Sequence, residues 1–151
     1  MVGLALTSIV VAALVDTNIL VYRYDPRDPR KQRIADDLLR TGMRRDSVWL
    51  PHQVLIEFYA VVTRSVPSYG PLLNGEDALR EIEEMLAQYK VIFPNETIFR
   101  TALRGMATHQ LSWFDAHLWA YAETFGIPEI ISEDFQHGRT YGGVRVINPF
   151  R

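Results

Sequence analysis

Cysteine is absent from the 151 residues. That excludes a disulfide framework, a thiolate zinc or iron–sulfur site, and a cysteine nucleophile. Lysine is almost absent too, with Lys31 and Lys90 set against 14 arginines. Arginine suits bidentate recognition of phosphate or carboxylate, but GC-rich coding produces the same skew, so composition alone assigns it no role. An excess of either charge is also missing. With 16 basic and 18 acidic residues the net charge is −2, which argues against coating nucleic acid by bulk charge. No apolar run reaches the ~20 residues that a membrane-spanning helix needs. The uncharged opening from Met1 to Val15 lacks a basic start and runs straight into Asp16, Thr17 and Asn18, with no cleavage-site pattern. These features predict a cytoplasmic protein without a membrane segment.

What is present is an ordinary globular composition, 48% hydrophobic and 23% charged, in a length that suits one domain over residues 1–151. Strand and helix signals alternate along it. Ile9 to Val15 reads as a fully buried strand, followed by a polar loop over Tyr24 to Asp28. Asp28 at the N-cap, Pro29 at the first helical position and Gly42 just past the end punctuate the next helix. Ser47 to Leu50 and Val91 to Phe93 are short strands closed by prolines, with helices over Gln53 to Arg64 and Glu76 to Gln88. Asn95 and Ser112 cap two further helices, the second stopping at Gly126, before strands at Glu129 to Ser132 and Val144 to Ile147. Strands separated by helices imply right-handed crossovers and a parallel sheet covered on both faces. The predicted class is α/β, with three layers, α/β/α.

In such a sheet, ligands bind outside the carboxyl ends of the strands, and acidic residues stand there. Asp16 follows the first strand, Glu133 and Asp134 follow the strand at Ile130–Ser132, and Asp115 lies in the first turn of a helix. Each has a structural alternative: Asp16 and Asp134 can start turns, and Ser112-x-x-Asp115 has the form of a capping box. Glu57 is the only charge between Gln53 and Arg64, among Val54, Leu55, Ile56, Phe58, Tyr59 and Ala60. A carboxylate there is unfavourable unless paired with an arginine or bound to a metal. Read jointly, four carboxylates converging at one sheet edge would repel one another. A hard divalent cation held by oxygen ligands alone, Mg²⁺ or Mn²⁺, resolves that conflict and favours phosphoryl chemistry.

At these residues the sequence resembles the PIN-domain family, and within it the VapC-type toxins of bacterial and archaeal toxin–antitoxin pairs. The resemblance rests on Leu14-Val15-Asp16-Thr17-Asn18-Ile19-Leu20, Ile56-Glu57-Phe58, Leu111-Ser112-Trp113-Phe114-Asp115-Ala116 and Ile131-Ser132-Glu133-Asp134-Phe135. The tail from Gln136 to Phe150 is also similar. The resemblance implies an about five-stranded, mainly parallel sheet between helices. It further implies Mg²⁺-dependent endoribonuclease activity, a homodimer, and neutralisation by a small cognate antitoxin. Asp16, Asp115 and Asp134 would then hold the metal, while Glu57 completes the shell or orients the attacking water. Thr17 or Asn18 would support Asp16, and the Ser132-x-Asp134 register makes Asp134 the ligand and Glu133 its exposed neighbour.

RNA must still approach an acidic pocket. Arg23, Arg27, Arg30, Lys31 and Arg33 follow Asp16 closely, and Arg139 follows Asp134. They are candidate phosphate contacts, or else a solvated face. Thr17, Asn18, Ser132, Arg23 and Arg139 are the candidate substrate contacts; Trp113 and Phe114 can stack on a base, but the preferred reading puts Phe114 in the core and Trp113 partly exposed. The apolar stretch from Val54 to Val62 and the connector from Tyr69 to Leu73 are candidate surfaces for a dimer mate or antitoxin, or plain core. Rival readings fit less well. A receiver-like domain needs an Asp after a middle strand, where Pro51-His52 stand, and a Lys ending a later strand, whereas Lys90 opens one. A small-molecule phosphatase would want a second acid two residues after Asp16, where Asn18 stands. A non-catalytic RNA-binding protein of the same fold is opposed by the intact acidic quartet.

Overall fold

The computed structural model describes residues 10–151. The first strand, β1, is Ala13–Val15, fully buried and apolar. The predicted start at Ile9 is not borne out over Val10 and Val11, which precede it 45% and 44% exposed. The rest of the opening segment, residues 1–9, lies outside the described residues. A short helix not foreseen in the sequence, α1 (Thr17–Tyr22), follows at once, because the Asp16 side chain accepts from the Thr17 N–H and caps it.

Helix α2 (Pro29–Arg45) starts as predicted, with the Asp28 side chain accepting from the Lys31 N–H and Pro29 in the first turn. It does not end at Gly42. Gly42 is buried inside the helix, where a Cβ would lie 2.2 Å from Val48 Cγ2, so its role is close approach to β2 (Val48–Pro51). The helix ends at Asp46, in the left-handed region with φ 52°. Helices α3 (His52–Val62) and α4 (Gly75–Gln88) lead to β3 (Lys90–Ile92). Helices α5 (Glu96–His109) and α6 (Trp113–Phe125) take their predicted caps, Asn95 and Ser112, and lead to β4 (Glu129–Ile131). The chain ends with β5 (Thr140–Tyr141) and β6 (Val144–Ile147).

Among the described residues the sheet has six strands, in the order β3-β2-β1-β4-β6-β5. The five expected strands run parallel to one another, and the sixth, β5, is an antiparallel edge that two residues of hairpin add to β6. A two-residue strand carries too little alternation to show in sequence. The chain runs outward from β1 through β2 to β3, then crosses back to β4 on the other side of β1. By the right-handed crossover rule, α1 to α4 cover one face and the tightly packed pair α5 and α6 covers the other. Gly105 permits that pairing, since a Cβ there would lie 2.5 Å from Trp119 Cζ3. Trp119 Nε1 in turn donates to the Tyr141 carbonyl at 2.9 Å, tying α6 to β5. Leu14, Leu50, Ile130 and Val146 form the sealed centre of the sheet. Among the described residues no helix is long and apolar enough to cross a membrane.

Candidate active site

The reversal of strand order between β1 and β4 opens a crevice at the carboxyl ends of those strands. Asp16 leaves β1 on one side of it, and Ser132 to Asp134 leave β4 on the other. The Asp16 N–H donates to the Ile131 carbonyl at 3.0 Å, so the two strand ends are held in step. Helix α3 brings Glu57 over the crevice and the N-terminus of α6 brings Asp115. All four predicted carboxylates, Asp16, Glu57, Asp115 and Asp134, line one open cleft of about 370 Å³.

Asp16 is the most constrained of the four. One oxygen accepts from the Thr17 N–H at 2.7 Å and the other from Ser132 Oγ at 2.6 Å. Burial nevertheless dominates and pushes its carboxyl up to about 6, against the two hydrogen bonds that hold it down, with Asp134 and Glu57 adding repulsion. Asp134 is also pushed upward, by burial first and then by the charges of Asp115 and Glu133, while its bond to Asn18 opposes the shift. Like charge is therefore concentrated here, and among the described residues none of the four carboxylates is in an ion pair.

The structural alternative for Glu57, an arginine partner, is not what the chain provides. Among the described residues Glu57 makes no ion pair. Its carboxylate accepts from Thr17 Oγ1 and Gln53 Nε2, both at 3.0 Å, and these neutral donors fix it while leaving its charge uncompensated. The alternative for Asp115 does hold in part, since its N–H donates to Ser112 Oγ at 3.3 Å. Capping uses the backbone and leaves the Asp115 side chain facing the cleft.

Several predicted substrate contacts turn out to have other partners. Ser132 is fully buried; its hydroxyl donates to Asp16 and accepts from the Asp134 N–H at 3.0 Å, so it joins two acids. Thr17 is likewise buried, holding Glu57. Asn18 Nδ2 donates to Asp134 Oδ2 at 3.0 Å. Arg23 is engaged by Asp36 at 2.9 Å, Arg27 by Asp25 at 2.8 Å, and Arg30 by the Phe150 carbonyl at 2.8 Å. Lys31 pairs with Glu133 at 2.8 Å, and Tyr22 also donates to that carboxylate, so Glu133 is held half-buried rather than exposed. Arg139 lies over the Tyr141 ring, 4.8 Å from its centroid, and does not line the cleft. The cation that does line it is Arg64, an exposed residue with no ion pair among the described residues. Arg64 and Gln53 escaped the sequence reading. Gln53 carries a signal of helical spacing, four residues before Glu57 on the same face of α3, whereas Arg64 lies beyond the end of that helix and carries none.

The donor set fits a hard divalent cation: oxygen ligands only, excess negative charge, and a carboxyl kept above its ordinary range by burial. Asn18 Oδ1, buried beside Asp134 with no hydrogen-bond partner, is one more oxygen awaiting a donor or cation. Among the described residues no group of three His, Asp or Glu side chains is already arranged to hold an ion. Both Asp16 oxygens and both Glu57 oxygens are turned to protein donors.

The chain is thus an open, mainly parallel α/β fold with an acidic cleft at the switch point of its sheet. The profile of the PIN domain family matches residues 13–143, and the chain belongs to that family. No curated protein matches it in sequence. Among solved structures it is similar to a toxin–antitoxin complex from Klebsiella pneumoniae, at 18% identity and TM-score 0.65 over 91% of this chain and 98% of that one. It is also similar to Mycobacterium tuberculosis VapC20, a sarcin-ricin loop cleaving toxin, at 18% identity and TM-score 0.61 over 79% of this chain and 87% of that one. A DNA-bound VapBC from Salmonella typhimurium matches at 13% identity and TM-score 0.63 over 90% and 96% of the two chains. At these identities the likeness is one of fold.

Proposed function

We propose that this protein is a Mg²⁺-dependent endoribonuclease, able to use Mn²⁺, that hydrolyses RNA phosphodiester bonds as the toxin of a cytoplasmic toxin–antitoxin pair. The observation that carries the reading is the convergence of Asp16, Glu57, Asp115 and Asp134 on one cleft, with none of the four in an ion pair among the described residues. Restraint by a small cognate antitoxin and assembly as a homodimer belong to the same reading. The solved relatives support the antitoxin, since they include toxin–antitoxin complexes.

Asp16, Asp115 and Asp134 would hold the metal. When bound, a divalent cation lowers the pKa of a water and neutralises charge on the phosphoryl group. The chain's own residues do the positioning. Ser132 sets the spacing of Asp16 and Asp134 by bonding both. Asn18 restrains the second oxygen of Asp134 from the start of α1. Glu57, steadied by Thr17 and Gln53, accepts a hydrogen bond from the attacking water and aligns it with the phosphorus.

The test is incubation of the purified, antitoxin-free chain with total RNA in Mg²⁺ and in EDTA, with analysis of the product ends. The reading expects cleavage only with the metal and no 2′,3′-cyclic phosphate, because water and not the ribose hydroxyl attacks. Cleavage in EDTA, or cyclic phosphate ends, would overturn it.

A further inference from the structure

A cleft lined by four carboxylates repels a polyanion, so an RNA-cleaving site of this kind needs a grip made of something else. Two groups in its lining supply one. Arg64 stands just beyond the end of α3, exposed and without an ion pair among the described residues. Phe114, in the first turn of α6, is not the core residue its sequence suggested: it is 68% exposed, the most exposed large apolar side chain among the described residues. A phenyl face open to water at the mouth of a cleft is one that an apolar occupant gains free energy by covering.

The ring is carried on a braced platform. The Phe114 carbonyl accepts from Gln53 Nε2 at 3.5 Å, and that same amide holds Glu57. The neighbouring Trp113 ring packs on His117, with centroids 4.5 Å apart, and edge-on to Phe99 at 6.1 Å. The lip is thus set at a fixed distance from the carboxylates. Phe114 and Arg64 occupy the same cleft, so an occupant that satisfies both must be planar, apolar on one face, and anionic at one end. A nucleotide has that form. A second copy of this chain seated on Phe114 would instead close the mouth through which a substrate reaches the acids.

We propose that Phe114 and Arg64 are the substrate grip of this site: the base next to the scissile phosphate stacks on the Phe114 ring, and its phosphate pairs with Arg64. The proposal rests on the endoribonuclease reading and adds specificity-determining residues to it. Both act on binding, and neither takes part in the bond change.

The experiment uses Asp115→Asn protein, so that RNA survives, with short single-stranded oligoribonucleotides, one carrying its bases and one abasic throughout. Adding Phe114→Ala is expected to weaken binding of the base-bearing strand by about 5- to 150-fold and to leave the abasic strand unchanged. Phe114→Trp retains binding. Arg64→Gln weakens both strands alike and flattens the dependence of log K on log salt by about 0.7. Equal effects of Phe114→Ala on both strands, or no effect, would overturn the proposal. So would a change in the mass of that variant in solution, which would make Phe114 a contact between copies. If the parent protein bound neither strand, the nuclease reading itself would fall, a result distinct from indifference to Phe114.

Discussion

Replacing Asp16 by Asn should make the metal-free protein more stable at neutral pH, although it removes a side chain tied into the fold by two hydrogen bonds. Burial raises the Asp16 carboxyl from 3.8 to about 6. Between roughly pH 4 and 6 the native state therefore keeps a proton that the unfolded chain has lost. Unfolding free energy then falls as pH rises through that window, by ~3 kcal/mol for two pH units. Asn carries no charge and escapes the loss. It keeps the bond from the Thr17 N–H, while the Ser132 hydroxyl must turn from donor to acceptor, at a cost of about 1 kcal/mol. The variant should be about as stable as the parent near pH 4.5 and roughly 2 kcal/mol more stable near pH 7.5. Urea unfolding of both proteins in EDTA at the two pH values measures the difference, and the histidines cancel between them. Asp25 and Asp36, whose carboxyls are held low chiefly by Arg27 and by Arg40 and Arg23, act in the opposite sense and at lower pH. Parallel curves for parent and variant would refute the reasoning, because Asp16 would then carry no unfavourable buried charge.

Removing the hydroxyl in Ser132→Ala breaks the link between Asp16 and Asp134. Stability should fall by about 2 kcal/mol and metal affinity by roughly 10- to 100-fold, read by denaturation and by Mn²⁺ titration; unchanged affinity would make Ser132 simple core. In Glu57→Gln the Thr17 hydroxyl can accept where it donated, so both contacts survive and one negative charge goes. The metal-free melting temperature should rise by the equivalent of roughly 0.5 kcal/mol, while RNA cleavage is lost; a marked fall in melting temperature would point to a structural ion pair. Gly105→Ala drives a methyl to within 2.5 Å of the Trp119 ring and should destabilise by about 1–3 kcal/mol without altering the cleft, as thermal unfolding and metal titration would show.

Much of this architecture is legible from local signals. Asp28 with Pro29, Asn95 and Ser112 mark helix starts because capping needs only a side chain and the next few N–H groups. The four acids stand out because each interrupts an apolar segment or ends a strand. The misses have a common cause in tertiary contact. Gly42 has the look of a helix stop, yet Val48 across the α2–β2 packing determines its use. Helix α1 is one and a half turns long, too short to show periodicity, and exists because Asp16 caps it. Arg23 lies close to Asp16 in sequence, but Asp36 of α2 reaches its guanidinium first. Arg64 was hidden for the converse reason, since it lies beyond the end of α3 and only the tertiary fold brings it to the cleft.

The central claim is that the four carboxylates make one hydrolytic centre for RNA. It is tested most directly by incubating purified tRNA and rRNA with the parent chain and with Asp115→Asn, each with and without Mg²⁺, after circular dichroism has shown both folded. The account predicts cleavage by the parent in Mg²⁺ alone and none by Asp115→Asn, whose fold is preserved because capping uses the Asp115 N–H and not its carboxylate. Full cleavage by folded Asp115→Asn would contradict it.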